Sequence, residues 1–244
     1  MTTVDEWNLA FDLLWNNIAS DKAPGLEKYE KSVFLTQAQE EIVLEHFSAR
    51  SNALQEGIDD STRRQADFSI LIKSAKLSTA TLNSSGAFRP STRTKYYQFP
   101  ADALIVLNEE VTDGNNYYSV VPLSHEEYAR LIMKPYKYPP KGQVWRLITS
   151  SASTTVSGSS SSTTVPVVEL IGKFSATTLL DYRMRYVQRP QPIILGGFPT
   201  GLSVNGSSTA TTCMLPEHLH DEILQRAIML AKISWIDTPG QQRQ

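Results

Sequence analysis

The chain is almost without cysteine. Of its 244 residues only Cys213 is one, so no internal disulfide can form and a cysteine-based zinc site is close to excluded. Histidine is scarce too, with four in all: His46, His125, His218 and His220. No apolar run approaches the ~20 residues of a membrane span. The first residues include Asp5 and Glu6 and no basic stretch, which is not the pattern of a signal peptide. Charged residues reach 20% and apolar ones 41%, below the usual ~25% and ~45–50%. Ser and Thr fill the gap, which points to many short strands and loops. A net charge of −2 argues against a strongly basic binder of duplex DNA or membrane surfaces. These absences lead to the expectation of a soluble intracellular protein with no cofactor.

A chain of this length suits one large domain, or one domain carrying an insertion. It can bury roughly 70–75% of its unfolded surface, so its core requires neither disulfides nor metal. The charge is uneven. Residues 1–60 hold 4 basic and 12 acidic side chains, residues 61–146 hold 12 and 7, and residues 147–244 hold 7 and 6. Such segregation favours head-to-tail contact between copies, or a charged partner. Acidic solvated helix faces give the same pattern.

Three helices are predicted first. Thr3-Val4-Asp5-Glu6 is a capping box, after which Trp7, Phe11, Leu14 and Ile18 form one apolar stripe to about Ser20. Residues 21–31, containing Pro24-Gly25, read as a linker. A second capping box, Thr36-Gln37-Ala38-Gln39, predicts a helix to about Arg50 with Ile42, Val43 and Phe47 inward. A third helix is predicted from about Asp60 to Lys73, with Phe68, Leu71 and Ile72 on its apolar side. Strands follow at 79–83, 94–99, 103–107 and 117–121, broken by Pro90, Pro100 and Asp113-Gly114-Asn115-Asn116. Ser124-His125-Glu126-Glu127 caps a short helix that Pro135 ends, and strands return at 144–149, 167–171 and 178–186.

Between two of these strands, residues 149–165 hold 13 Ser or Thr among 17 positions. Such a tract cannot build a core and reads as a long mobile hairpin tip. A last helix opens at Leu215-Pro216-Glu217, with Leu219, Ile223, Ala227, Leu230 and Ser234 along one side, and ends at Asp237-Thr238-Pro239-Gly240. The expected fold is α+β: residues 1–76 and 213–244 form a helical bundle, and residues 77–212 a β-rich insertion, sandwich or barrel-like.

The search for chemistry yields little. No G-x-S-x-G elbow or phosphate-binding loop is present. Glu217-His218-Leu219-His220-Asp221-Glu222 holds metal-ligating residue types. On a helix, though, His218 and His220 lie about 200° apart, and the pair His218 and Glu222 lacks a third ligand. Cys213 has no local signature of a catalytic thiol. Catalytic, cofactor-binding and metal-ligating residues are therefore all set at none. Basic residues alternate with aromatics at 134–141 and at Tyr182-Arg183-Met184-Arg185-Tyr186. That suits a platform for single-stranded nucleic acid or, preferred for a near-neutral chain, a protein interface.

A set of stretches then carries a resemblance: 34–43, 63–72, Phe99-Pro100-Ala101-Asp102, Pro122-Leu123-Ser124-His125-Glu126-Glu127-Tyr128, 134–140 ahead of Trp145-Arg146-Leu147, Tyr186-Val187-Gln188-Arg189-Pro190 and 215–223. In this order they resemble the head-to-tail adaptor proteins of tailed bacteriophages (connector, ring or tail tubular proteins), most of all those of crAss-like phages. The resemblance covers most of residues 30–235 apart from the Ser/Thr tract. It implies a virion structural protein of the portal–tail vertex, assembled in the host cytoplasm, with about a dozen copies in a closed ring. The implied partners are copies of itself, the portal protein, further tail or ring proteins, and double-stranded DNA passing through the lumen without specific binding; no membrane is implied. Partner contacts are expected at Tyr136, Tyr138, Arg183 and Arg185, at Ser157 and Ser160 in the hairpin, and at Trp235, after which the chain's tail is a second candidate anchor. The rival readings are a β-rich carbohydrate- or surface-binding module, a hydrolase with a concealed site, and another ring of the same tail.

Overall fold

A computed structural model describes residues 1–18, 25–47, 66–80, 94–134, 138–151, 154–156, 159–161, 165–174 and 180–236. It is α+β, and the chain divides into two compact units. One comprises Met1–Leu71 with Arg189–Gln244, the other Ile72–Gln188.

In the first unit helix α1 (Val4–Ile18) opens on the expected capping box. The Glu6 amide donates to the Thr3 hydroxyl at 3.3 Å, and the Glu6 carboxylate accepts the Thr2 and Thr3 amides. Trp7, Phe11 and Trp15 are its buried residues, at i, i+4 and i+8. Trp15 thus takes the place expected of Leu14, which is half-buried. The larger indole sits better in the helix–helix interior, because it removes more apolar surface from water.

Helix α2 (Lys28–Phe47) starts well ahead of the predicted Thr36. Its first turn is capped at Glu27, whose amide donates to Glu30 Oε2 at 2.9 Å. The expected linker therefore contributes residues 28–31 to the helix, and Lys31 is buried against α1: Nζ lies 2.6 Å from Asp12 Oδ1 and donates to Asn8 Oδ1 at 2.9 Å. Thr36 is no cap. It is buried mid-helix, in a row with Ser32 and Glu40 that holds the segment after residue 188. The Ile193 amide donates to Thr36 Oγ1 at 3.2 Å and the Leu195 amide to Ser32 Oγ at 3.0 Å. Between them Ile194 exchanges two 3.0 Å backbone bonds with Thr211. A buried, irregular segment thereby has its amides paired, as burial demands. Glu40 takes Asn205 Nδ2 at 2.9 Å, with Arg189 Nε at 3.7 Å. Residues 189–212, expected with the β-rich insertion, consequently group with the helices.

Helix α4 (His220–Ile236), which follows α3 (His125–Ile132) of the second unit in chain order, packs on α2 and α1. Its buried residues are Ile223, Leu224, Ala227, Ile228 and Ala231. The predicted stripe is thus rotated, with Leu230 half-buried and Ser234 at the exposed margin. The predicted third helix is also different. A helical turn at 66–68 runs into a 3₁₀ turn, Ser69–Leu71, and the chain then enters strand β1 (Ile72–Lys76) rather than continuing helically to Lys73. The cause is non-local, because every residue of β1 pairs with the ninth strand.

The second unit is a curled seven-stranded sheet. Its members, besides β1, are β2 (Thr94–Gln98), β3 (Ala103–Thr112), β4 (Tyr117–Pro122), β5 (Gln143–Ser151), β8 (Val165–Ile171) and β9 (Asp181–Gln188). The order is β1-β9-β3-β4-β5-β8-β2. All neighbours are antiparallel except β4 and β5, which helix α3 (His125–Ile132) connects. The curl brings the two ends of this order together: Thr79, just past β1, bridges to Tyr97 of β2, and the Ala80 and Gln98 amides donate across at 2.9 Å. Closure of this kind removes an exposed sheet edge. The short strands β6 (Thr154–Val156) and β7 (Ser159–Ser161) form a hairpin of their own between β5 and β8.

Inside the curl lie Tyr97, Val111, Val144, Val168, Leu170, Tyr182, Met184 and Tyr186. One ion pair shares this interior: Arg146 Nε is 3.0 Å from Glu109 Oε2, both side chains are nearly buried, and the Tyr182 hydroxyl donates to the same Glu109. Arg146 Nε does not point its N–H well at that oxygen, so the attraction there is one of charge more than of a directed bond. On the outside, α3 lays Tyr128, Leu131 and Ile132 over Trp145, Leu147 and Ile171. Its Ser124–Glu127 capping box is complete, as the residues predict.

Candidate assembly surfaces

The histidines and the cysteine near residue 215 are engaged in holding structure. His220 is buried; its Nε2 donates to Leu215 O at 2.9 Å and its ring tilts against Trp7 at 5.0 Å. The Met1 amine lies 3.2 Å from its Nδ1. Burial holds the imidazole pKa below its ordinary value. His218 faces away and lies 2.9 Å from Asp67 Oδ2. Burial pushes the Cys213 thiol up to about 11, the reverse of an activated nucleophile. Among the described residues no three His, Cys, Asp or Glu side chains gather as a metal site.

The alternating segment at 182–186 is divided by its own pleat. Tyr182, Met184 and Tyr186 point into the core, while Arg183 and Arg185 stand on the outer face. Rings and cations therefore lie on opposite sides of β9, which corrects the reading of this segment as one stacking platform for nucleic acid. The Tyr182 hydroxyl is held well above the usual phenol range by burial and by the Glu109 charge.

On the outer face Arg183 is in register with Lys76 of β1 and Glu110 of β3, and Arg185 with Ser74 and Asn108. Lys76 is paired with Asp181 at 2.7 Å, an interaction that lowers the Asp181 pKa. Neither arginine has a salt bridge among the described residues. Among the described residues no helix of this unit packs on these strands, unlike β5 and β8 beneath α3.

The other expected contact residues lie elsewhere. Tyr138 is partly exposed in the turn before β5. Ser160 sits in β7, in register with Thr155. Trp235 is in the last turn of α4, but its side chain, like Tyr136, Ser157 and the tail after Ile236, falls outside the described residues. Of the seven positions, Trp235 belongs to the first unit and the remaining six to the second. The residues that sequence reasoning missed are Leu107 and Tyr117, exposed apolar neighbours of the two arginines on β3 and β4. The unbroken apolar run 103–107, where a strand with one buried face would alternate, was the available signal for Leu107; Tyr117 was read as an ordinary strand residue. Among the described residues, no helix is long and apolar enough to cross a membrane.

The outer sheet face thus carries charged side chains, and among the described residues no three metal-ligating side chains gather. The family model for phage tail ring protein 3/4 matches residues 1–243, and the chain belongs to that family. It is similar to "Ring protein 4/5" of Bacteroides phage crAss001, with 43% identity over 236 residues, 95% of this chain and 93% of that protein. It is also similar to "Ring protein 3" of the same phage, at 30% identity across 98% of both chains. The family match takes in the N-terminal helix, which the motif resemblance did not reach.

Proposed function

We propose that the protein is a structural ring subunit of a crAss-like phage tail. In this reading it is an adaptor between portal and tail, about a dozen copies form a closed ring, and the ring extends the channel for exiting DNA. The full-length family match carries the reading. The charge distribution supports it: the helical unit holds 10 basic and 17 acidic residues, and the sheet unit 13 and 8. Units of opposite sign suit contact between successive copies. The reading is structural rather than enzymatic, because Cys213, His218 and His220 are occupied in packing or pairing.

In the same reading the helices of the two chain ends form a bundle, the curled sheet is barrel-like, and the β6–β7 hairpin reaches a neighbouring tail protein. The eight residues from Ser150 to Ser157 would extend it by at most ~26 Å. DNA passes the lumen without tight binding, which the near-neutral net charge favours.

Quantitative mass spectrometry of purified virions tests this, counting the chain against the major capsid protein. About a dozen copies per particle fit one ring. Hundreds would make it a shell or decoration protein, and absence from virions would overturn the proposal.

A further inference from the structure

Building on the ring reading, we infer that the outer face of β9, β1 and β3 is the seat for helix α1 of a second copy. Among the described residues of the sheet unit, the helix packed on the outside of the sheet is α3. Over β5 and β8, α3 supplies the second layer that a sheet face usually packs against. Among the described residues no helix of this unit lies over β1, β9 and β3, and the face combines Arg183 and Arg185 with Glu110 and Asp181 and with Leu107 and Tyr117, 42% and 72% exposed. Arg185 lies in register with Asn108, next to Leu107, and Tyr117 with Thr112, which itself faces Asp181. From the Arg185 row to the Asp181 row is four residues, about 13 Å along the strand.

Helix α1 has the complementary surface. Opposite its buried Trp7, Phe11 and Trp15, it exposes Asp5, Leu9 and Leu13 at i, i+4 and i+8. Leu9 and Leu13 are 67% and 62% exposed, although two leucines one turn apart are the kind of pair a helix buries. This stripe spans eight residue steps, about 12 Å of helix axis. The helix holds Asp5, Glu6 and Asp12 and no Lys or Arg, and Asp12 is already paired with Lys31. An acidic, apolar helix stripe thus matches in length a partly apolar sheet strip whose charges, Lys76, Arg183 and Arg185 against Glu110 and Asp181, sum to +1. The two surfaces differ, so the contact is head-to-tail, the type that closes into a ring.

The test uses full-length chains incorporated into phage particles. Leu9→Cys and Ser74→Cys are placed on separate chains and co-expressed, then oxidised in purified particles. The expected product is a disulfide-linked dimer, formed by the mixture and by neither variant alone. In parallel, Arg183→Glu/Arg185→Glu should lower the copies incorporated by about tenfold, and Asp5→Arg on the same chain, which leaves the Thr3–Glu6 capping box intact, should restore part of them. Four results would overturn the inference: no mixed dimer at normal copy number, normal incorporation of Arg183→Glu/Arg185→Glu, cross-linking of Ser74→Cys to a different protein, or loss of DNA contact as the only effect of the arginine changes. All four leave the wild-type copy number untouched, so the ring reading stands or falls separately.

Discussion

The Thr36 hydroxyl of α2 accepts the amide of Ile193, a residue 157 positions away, at 3.2 Å. It also donates to the carbonyl of the same residue at 3.4 Å. This reciprocal contact, with the parallel one from Ser32 to Leu195, makes the return of the chain from the sheet unit part of the helical core. Because the amide is buried, losing the hydroxyl leaves it without a partner. Thr36→Val, which keeps the shape, should destabilise the protein by about 1–3 kcal/mol. Ser32→Ala should cost a similar amount. Denaturant unfolding with constant slope would show it; a change within ~0.5 kcal/mol for both would mean that the row does not hold the segment.

The Glu109–Arg146 pair inside the curled sheet is expected to behave asymmetrically. Arg146→Met leaves a buried carboxylate with only the Tyr182 hydroxyl, and should cost about 3–5 kcal/mol. Replacing both partners by methionine should cost less than either single change, since no orphaned charge remains. A double-mutant cycle read by chemical unfolding checks this, and additive losses would contradict it.

The capping boxes show how much the residues disclosed. Ser124 and Glu127 were readable because their bonds are local and the helix they start is short. Thr36 and Gln39 have the same spacing, yet Thr36 serves a strand-like segment far along the chain. Such a motif cannot announce whether its hydroxyl has a near or a distant partner. β1 was hidden for a related reason: Ile72 and Ala75 fit a helical stripe, and only pairing with β9 makes the segment extended. In the alternating segment both the strand and the residue types of an interface were legible, but that the rings and not the cations face the core followed only from the packing of Tyr182, Met184 and Tyr186.

His220 makes stability depend on pH in one direction. Its folded-state pKa lies below the ordinary 6.5, chiefly through burial, with the Met1 amine pushing the same way and Glu217 and Asp221 opposing. Protons are therefore bound more readily by the unfolded chain, and stability from this group is present above pH 6.5 and lost as pH falls through and below it. Thermal unfolding at pH 8, 6.5 and 5 should show a fall in the transition temperature over the lower interval. In His220→Gln that fall should shrink. An identical slope in the variant would assign the pH dependence to other groups.

Cys213 should be silent towards alkylation while the protein is folded. Its thiol, pushed up to about 11 by burial and receiving the Leu215 amide at 3.4 Å, is almost wholly protonated at pH 8. Since it is the one cysteine of the chain, intact-mass measurement after brief iodoacetamide treatment gives a clear reading. Single labelling is expected in denaturant and almost none without it. Rapid labelling of the folded chain would mean an accessible thiolate and would reopen the question of a reactive site.

The hairpin beyond β5 and β8 offers a way to separate folding from assembly. β5 and β8 stay in register as far as Ser151 and Val165, so the sheet unit is already closed at that point. Replacing residues 152–164 by Asn-Gly should join the strands through a tight two-residue turn of the favoured hand. Because the removed segment is almost entirely Ser and Thr, it contributes little apolar burial, and the unfolding midpoint should move by no more than ~0.5 kcal/mol equivalent. Incorporation into particles is a different matter if the hairpin anchors a tail partner: the shortened chain should fold, yet give particles that lack it or lack the protein docked on it. Normal assembly and infectivity would show that the hairpin is dispensable, and would leave the uncovered face of β9 and the helices to carry the contacts.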